Sequence, residues 1–367
     1  MILMNDFKAE PAEFKLAMRQ AAERVIDSGW YVLGKEVEAF ERSFAVAAGT
    51  RCAVGVGNGM DAIELILRAA GIGPGDEVIT TPMTAFATVL AVLRAGAVPV
   101  LADIAPESAL LDPASVRRCL GPRTKALLLV HLYGQMRDMD TWQVLCDDAG
   151  IVFIEDCAQS HSARWGDRIA GGHGRAGAYS FYPTKNLGAL GDAGAVVTND
   201  EALAACVGRL RNYGQSERYS HPELGMNSRL DELHAAMLSV RLEWLKGYTA
   251  RRREIAQCYN EGIRHNSVAL LAPPQEAESH VYHLYVLRSS RREALQAHLK
   301  DRGVQALMHY PIPAHLQPPC HDIKRDPLGL RMSEQHAKDC LSVPCHPQMS
   351  DADVQQVIDA VNTFGRD

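Results

Sequence analysis

Short apolar runs alternate with longer helical patterns through the first 200 residues. Runs rich in valine, isoleucine and other apolar residues predict seven strands, at residues 52–56, 77–80, 98–103, 126–132, 152–155, 177–182 and 194–198. Apolar residues at every third or fourth position predict intervening helices, at residues 60–70, 85–95, 112–119 and 139–149. Strands and helices that alternate in this way predict an α/β fold with a mostly parallel central sheet flanked by helices.

The pattern changes near residue 228. Apolar residues then recur every three to four positions, which predicts one long amphipathic helix extending towards residue 262. A strand at residues 282–288 and helices at 291–302 and 351–363 follow. We therefore expect a large domain, residues 1–245, and a smaller C-terminal α/β domain, residues 246–367.

The composition narrows the classes of partner. The chain has 367 residues, 47% hydrophobic and 22% charged, which is ordinary for a globular protein of this size. A formal net charge of −6 offers no basic face for nucleic acid. No apolar run approaches the roughly 20 residues of a membrane span, and the N-terminus lacks the pattern of a secretion signal. We expect a soluble, cytoplasmic protein without a nucleic-acid or membrane partner.

The cysteines and histidines suggest neither a disulfide framework nor a metal site. Nine cysteines, an odd number without CxxC spacing, favour buried thiols in a reducing compartment. Histidines and cysteines between residues 309 and 346 match no familiar zinc pattern. We interpret them as loop or core residues and expect no metal.

Lys185 and Asp156 are the strongest candidates for chemistry. Lys185 lies in the run SFYPTKN at 180–186, and Asp156 ends the apolar run 151–156. A lysine amine can form a Schiff base with an aldehyde cofactor, and an aspartate can keep the pyridine nitrogen of pyridoxal phosphate (PLP) protonated. Both follow predicted strands, where open α/β sheets bind ligands. The alternative is that Asp156 only caps the next helix.

The segment GVGNGMD at 55–61 follows a strand and opens a helix. Its small residues would let backbone N–H groups approach a phosphate closely. A dinucleotide site is disfavoured because no matching acidic residue is evident on a second strand. The segment therefore suggests a phosphate cup for PLP, although it could also be a tight turn.

Other side chains could contact the same cofactor. Gln159 could donate to the ring hydroxyl oxygen, Phe86 could stack on the ring, and the Ser180 hydroxyl could bind a phosphate oxygen. Phe86 could equally be plain core. Asn227 lies in a polar loop and would also suit a helix N-cap.

These motifs together resemble the DegT/StrS family of PLP-dependent nucleotide-sugar aminotransferases. The resemblance extends over nearly the whole chain, through GKEVE at 34–38, GNGMDA at 57–62, GPGDEV at 73–78, HLYGQ at 131–135, EDCAQ at 155–159, SFYPTKNLG at 180–188, GDAG at 191–194, NSRLD at 227–231 and HYPIPAHLQ at 309–317. It implies the aspartate-aminotransferase-like fold, fold type I. It also implies that Lys185 is the Schiff-base lysine and proton shuttle.

The resemblance further implies roles for other residues. Asp156 would face the pyridine nitrogen, Gln159 the ring hydroxyl and Phe86 the ring face. The residues expected to hold the phosphate are Gly59, Met60 and Ser180, with Asn227 completing the site of the neighbouring subunit in a homodimer with shared active sites. Many members have threonine where Met60 stands, so only a backbone contact is expected there. The residues expected near the substrate are His161, Tyr310 and His315.

The resemblance also suggests the reaction. A lysine at 185, rather than a histidine, indicates transamination instead of dehydration. Asn58 and Asp61 are similar to those of members that aminate C3 of a dTDP-linked keto-deoxysugar, with glutamate as the amino donor. Alternatives are a 4-keto nucleotide sugar, a keto-inositol (cyclitol) substrate, or a non-catalytic regulatory protein on the same fold.

Overall fold

The computed structural model describes residues 1–365. Its α-helices are α1 (Ala12–Ser28), α2 (Lys35–Ala48), α3 (Gly59–Ala69), α4 (Phe86–Arg94), α5 (Pro113–Cys119), α6 (Met139–Ala149), α7 (Glu201–Leu210), α8 (Glu232–Gly262), α9 (Arg292–Asp301), α10 (Arg331–Asp339) and α11 (Asp351–Asn362). Its strands are β1 (Cys52–Val56), β2 (Glu77–Thr80), β3 (Val98–Leu101), β4 (Thr124–Val130), β5 (Val152–Asp156), β6 (Arg164–Trp165), β7 (Arg168–Ile169), β8 (Ala176–Ser180), β9 (Gly194–Thr198), β10 (Ala269–Leu270), β11 (Tyr285–Arg288), β12 (Lys324–Arg325) and β13 (Cys340–Val343).

Eight strands form the central sheet, in the order β1-β9-β8-β5-β4-β2-β3-β12. β9 is antiparallel to both of its neighbours, and the other strand pairs are parallel. Alternate residues of β4 enter different cores, because successive side chains of a strand point to opposite faces. Leu127 belongs to the core that includes α2, α6 and α8, whereas Leu128 belongs to the core that includes α3, α4 and α7. The mostly parallel, two-sided sheet predicted from the sequence is confirmed.

A second sheet, β10-β11-β13, is antiparallel and packs near the C-terminus. Its core combines strand residues with α9, α11 and the C-terminal half of α8, through side chains such as Tyr259, Leu287 and Val357. α8 is one helix of 31 residues that also contacts α1 and α2. The domain boundary expected at residue 245 falls inside this shared helix and stays a prediction. Among residues 1–365, no helix is both long enough and apolar enough to cross a bilayer.

Some elements differ from the sequence prediction. No element was predicted before residue 52, yet α1 and α2 lie there. β11 begins at Tyr285 instead of residue 282, because Tyr282 has a left-handed φ of 44°, which is incompatible with an extended strand. β8 ends at Ser180 instead of residue 182, because the chain turns there into the loop that carries Lys185.

The Glu155 carboxylate is fully buried and tied to two neighbouring segments. His131, just after β4, contacts Glu155 Oε2 through Nε2 at 2.8 Å. The backbone N–H groups of Gly171, His173 and Gly174 donate to the same carboxylate over 2.7–2.9 Å. Burial alone would raise the pKa of Glu155, but the hydrogen bond and charge of His131 outweigh it and hold that pKa below its ordinary value. This network fixes the end of β5 to the turn before β8.

Two glycines of α8 provide a test of the local packing. A Cβ built on Gly247 meets no atom within 4 Å, whereas one on Gly262 lies 2.8 Å from Ile358 Cδ1. Gly247→Ala should raise the free energy of unfolding by about 0.5–1 kcal/mol, because alanine favours the helix and nothing obstructs it. Gly262→Ala should lower it. Denaturant titration of both variants checks this pair, and a destabilised Gly247→Ala would contradict the open surroundings.

Candidate active site

The candidate site lies where parallel strands end at one edge of the central sheet. β5 ends at Asp156 and β8 at Ser180, and the connection from β8 to β9 carries Lys185. Backbone hydrogen bonds fasten this connection: Phe181 N donates to Ala193 O and Ala189 N donates to Phe181 O, each at 2.7 Å. The lysine therefore projects from a loop that is held at its base.

A cavity of about 370 Å³ opens at this edge. Five of the residues predicted to bind a cofactor line it, namely Gly59, Met60, Asp156, Ser180 and Lys185. Its other lining residues are Asn58, Ile63, Ala85, Ala87, Thr88, Ala158, Tyr182 and Asp192. The structure thus brings together an amine, a carboxylate and the start of a helix that are far apart in the sequence.

Asp156 is buried, and hydrogen bonds fix its orientation. Thr88 Oγ1 donates to Asp156 Oδ2 at 2.8 Å, and Ala158 N donates to Oδ1 at 3.1 Å. Thr84 Oγ1 lies 2.8 Å from Thr88 Oγ1 and extends the chain of hydroxyls. The sequence analysis missed Thr88. The available signal was the spacing of Thr84 and Thr88, four residues apart at the start of a predicted helix.

Lys185 is partly buried beside this carboxylate. Burial lowers the pKa of its amine to about 8, and the negative charge of Asp156 opposes that shift. An amine with a pKa of 8 is neutral in roughly one molecule in ten at pH 7, far more often than an ordinary lysine. Since only the neutral amine is a nucleophile, this lowered pKa makes Lys185 a better nucleophile at neutral pH than an ordinary lysine.

The N-terminus of α3 forms another wall of the cavity. Its first N–H groups, on Gly59 and Met60, have no intrahelical acceptor and find none elsewhere among residues 1–365. Helix N-termini of this kind attract anions. A Cβ on Gly59 would lie only 2.7 Å from Ser180 Cβ, so glycine is what allows the serine to approach the helix. An anion can therefore contact both N–H groups and the Ser180 hydroxyl.

Asn58 and Asp61 bond to each other at the start of α3. Asn58 Oδ1 accepts from Asp61 N at 2.8 Å, and Asn58 Nδ2 donates to Asp61 Oδ2 at 3.0 Å. The pair thus caps the helix. This capping role is a structural reason for these two residues that is independent of any substrate.

Gln159 and Phe86 lie outside the lining of this cavity. Gln159 is buried, accepts from Tyr133 N at 2.6 Å and donates to the Tyr310 hydroxyl at 3.2 Å. Phe86 lines a neighbouring cavity of about 150 Å³ together with Tyr310. Both residues border the site, and their predicted contacts with the cofactor ring remain predictions.

The other predicted residues are more dispersed. His161 is buried against Tyr179 and Phe181, and burial together with the charge of Lys185 lowers its pKa to about 3. His315 is buried and contacts Glu334 at 3.2 Å, and it lines neither cavity. Asn227 is exposed. It does not cap α8 either, because the residue at that N-cap is Asp231, so the alternative capping role was wrong.

The donor set fits PLP. The free N–H groups of α3 and the Ser180 hydroxyl suit a phosphate, the Lys185 amine suits an aldehyde, and the oriented Asp156 carboxylate suits a pyridinium nitrogen. Gly59 allows Ser180 to lie against the start of α3, which brings the serine hydroxyl close to these N–H groups.

Comparison with known proteins gives the same result. The sequence model of the DegT/DnrJ/EryC1/StrS aminotransferase family matches residues 14–362. The chain is 45% identical, over 96% of each chain, to "Erythromycin biosynthesis sensory transduction protein EryC1" of Saccharopolyspora erythraea. It is 44% identical to the dTDP-3-amino-3,4,6-trideoxy-alpha-D-glucose transaminase of Streptomyces venezuelae, covering 98% of this chain and 95% of that one.

A solved structure is similarly close. The crystal structure of S. venezuelae DesV in complex with a ketimine intermediate superposes with a TM-score of 0.95 and 43% identity, covering 99% of this chain and 98% of that one. Sequence, fold and site geometry agree over nearly the full length. The chain therefore belongs to the DegT/DnrJ/EryC1/StrS aminotransferase family and is an aminotransferase whose cofactor is pyridoxal 5′-phosphate.

Proposed function

We propose that this enzyme transfers an amino group from glutamate to C3 of a dTDP-linked 3-keto-deoxysugar. The observation that carries the reaction type is the single cavity that joins the Lys185 amine, the Asp156 carboxylate and the start of α3. The substrate class is supported by the S. venezuelae relative, whose name specifies a dTDP-3-amino sugar. Asn58 and Asp61 add little to the choice of C3, because they cap α3 through each other.

We assign roles to the residues of this cavity. When bound, PLP carries the amino group from the donor to the keto carbon of the acceptor. Lys185, with its lowered pKa, takes and returns the proton at the reacting carbon. Asp156, held by Thr88, would face the pyridine nitrogen, while Gly59 N, Met60 N and the Ser180 hydroxyl would hold the phosphate. Gln159 would face the ring hydroxyl and Phe86 the ring.

Two alternatives keep the same chemistry. A 4-keto nucleotide sugar or a keto-inositol would use the same amine and carboxylate, and would differ only in what surrounds the acceptor. A regulatory protein without activity is disfavoured, because an oriented carboxylate beside a lysine of lowered pKa has no evident use in such a protein.

We also propose a cytoplasmic location for the enzyme. The nine free cysteines, six of them buried, are consistent with the reducing conditions there.

A single-turnover assay tests the function. The protein is converted to its pyridoxamine form with glutamate, freed of donor, and mixed separately with dTDP-linked 3-keto and 4-keto deoxysugars and with a keto-inositol. We expect the absorbance of the PLP form to return with the 3-keto sugar alone. Return with only another acceptor would overturn the substrate assignment, and no response to glutamate would overturn the choice of donor. Lys185→Ala is the control and should respond to none of them.

We also propose that the enzyme is a homodimer with shared active sites. Large apolar side chains are exposed near Asn227, among them Tyr219 at 82% and Leu224 at 87%. Trp30 and Tyr31 are exposed too, and the adjacent Val32 pairs with Asp231 at the start of α8. Exposed aromatic and aliphatic side chains are common at protein–protein contacts, so we expect a second copy of the chain to cover these residues.

Mixed dimers test the sharing. If Asn227 completes the partner's phosphate site, a dimer of one Lys185→Ala chain and one Asn227→Ala chain keeps one intact site, and we expect about half of the wild-type activity at limiting PLP. A dimer of a wild-type chain and a doubly substituted chain has no intact site and is the matched control. If the control is the more active of the two, Asn227 serves its own subunit.

The phosphate contact gives a further prediction. Gly59→Ala would place a Cβ 2.7 Å from Ser180 Cβ, so the helix start or the serine must move away. We expect the Kd for PLP to rise by about tenfold, the loss of one or two such hydrogen bonds. Gly208→Ala in α7, whose Cβ would meet nothing within 4 Å, is the control and should leave the Kd unchanged. Titration of the cofactor-free proteins with PLP measures both.

A further inference from the structure

One short segment is hydrogen-bonded both to the loop that carries Lys185 and to the C-terminal half of α8. We call residues 279–284 the strap. On one side the strap is held by α8: Arg253 Nε donates to His280 O at 3.0 Å, and Arg252 Nη1 donates to Tyr282 O at 3.2 Å. Arg252 is only 5% exposed, so this is an interior anchor and not a surface contact.

On its other side the strap contacts the segment after β4. Val281 N donates to Gly134 O at 2.9 Å, and Met136 N donates to Ser279 O at 2.8 Å. A Cβ on Gly134 would lie 2.7 Å from Gln159 O and 2.8 Å from Val281 Cγ2, so three segments meet there with no space to spare. The strap is therefore fixed along its length beside the site.

The strap also contacts the residue that follows the catalytic lysine. Asn186 Nδ2 donates to Val281 O at 3.0 Å, and Asn186 Oδ1 lies 3.3 Å from His283 Nδ1. The carbonyl oxygen of Val281 can only accept a hydrogen bond, so the Asn186 side chain must present its Nδ2 to Val281 and its Oδ1 to His283. Because Asn186 Oδ1 is an acceptor, His283 Nδ1 must carry the hydrogen. Burial, followed by the charge of Lys185, holds the pKa of His283 well below its ordinary value, so the ring is a neutral donor.

We propose that Asn186 and His283 are a positioning pair for Lys185. The backbone on one side of Lys185 is fastened by the bond from Lys185 N to Tyr182 O at 2.8 Å. The side chain of Asn186 fastens the other side to the strap, at a position that is 9% exposed. With both flanks fixed, the backbone of Lys185 has one geometry, which limits the directions in which its flexible side chain can reach the cavity. Neither member of the pair lines that cavity.

The proposal rests on the proposed role of Lys185, but it concerns the alignment of the amine and not the identity of the substrate. A misaligned reacting group can cost about a hundredfold in rate without loss of the fold. A pair that only stabilised the core would instead lower the melting temperature and leave the rate of the folded enzyme unchanged. These two consequences can be measured separately.

A double-mutant cycle tests the pair in the PLP-loaded enzyme. The variants are Asn186→Ala, His283→Ala and the double substitution, and the readouts are the rate of the glutamate half-reaction, the visible circular dichroism of bound PLP and the melting temperature. We expect each single variant to react at least about tenfold more slowly, with KM within about twofold, and to show altered circular dichroism. The double variant should be no slower than the slower single variant, because the pair acts as one unit.

Two further variants separate positioning from stability. Asn260 accepts from the Tyr285 hydroxyl at 2.7 Å near the strap and does not line the cavity that contains Lys185, so Asn260→Ala should leave the rate and the circular dichroism unchanged. His283→Asn keeps an N–H donor close to the position of Nδ1 and should recover most of the rate, and it also serves if His283→Ala fails to fold.

The outcomes distinguish this proposal from the proposed function. Additive effects in the double variant, or unchanged rate and circular dichroism in both single variants, would overturn the pair while the wild-type enzyme still transaminates. If the wild type does not react with glutamate, the choice of donor fails, and the circular dichroism of bound PLP still decides whether the pair orients Lys185.

Discussion

The candidate site depends on one buried charge. Glu155 is fully buried, and a carboxylate in that position is tolerated only when donors surround it. Its donors come from His131 after β4 and from the backbone of the turn before β8. Because β5 lies between β4 and β8, this carboxylate ties the C-terminal ends of β4 and β5 to the turn that precedes β8. Hydrogen bonds from the protein itself therefore fix the end of β5, which carries Asp156.

The next residue, Asp156, lies on the same fixed end of β5 but faces the cavity. Side chains alternate between the faces of a strand, so Asp156 points away from the network that holds Glu155. It meets the hydroxyl of Thr88 and the cavity that contains Lys185. Two successive carboxylates thus have different environments: Glu155 is surrounded by donors in the interior, and Asp156 lines the cavity.

The central sheet was predictable because its signal is local. The strands at residues 52–56, 77–80 and 194–198 have the predicted bounds, because their short length and the turn residues around them favour a strand over a helix. The error at Tyr282 came from a backbone conformation that no apolar pattern reveals. α1 was within reach of the same reasoning, since its buried residues Phe14, Met18, Ala21 and Val25 recur every three to four positions.

The site was predictable in part, for a geometric reason. Lys185 and Asp156 follow strands, and parallel strands bring their ends together whatever their separation in sequence. Phe86 and Thr88 lie on a helix, where two positions differ by about 200° around the axis, so the sequence could not say which one faces the cavity. Asn227 is exposed, and its expected contact requires a second chain that the sequence pattern of one chain cannot position.

α8 has a mechanical consequence for the enzyme. The helix runs unbroken from Glu232 to Gly262 and takes part in the cores of both the central sheet and the smaller sheet. Helices bend sharply only where their hydrogen bonds are interrupted, and α8 contains no proline. Wide rotation of one half of the chain against the other would have to break this helix. We therefore expect the two halves of the chain to move together, so that access to the cavity changes through the loops around it.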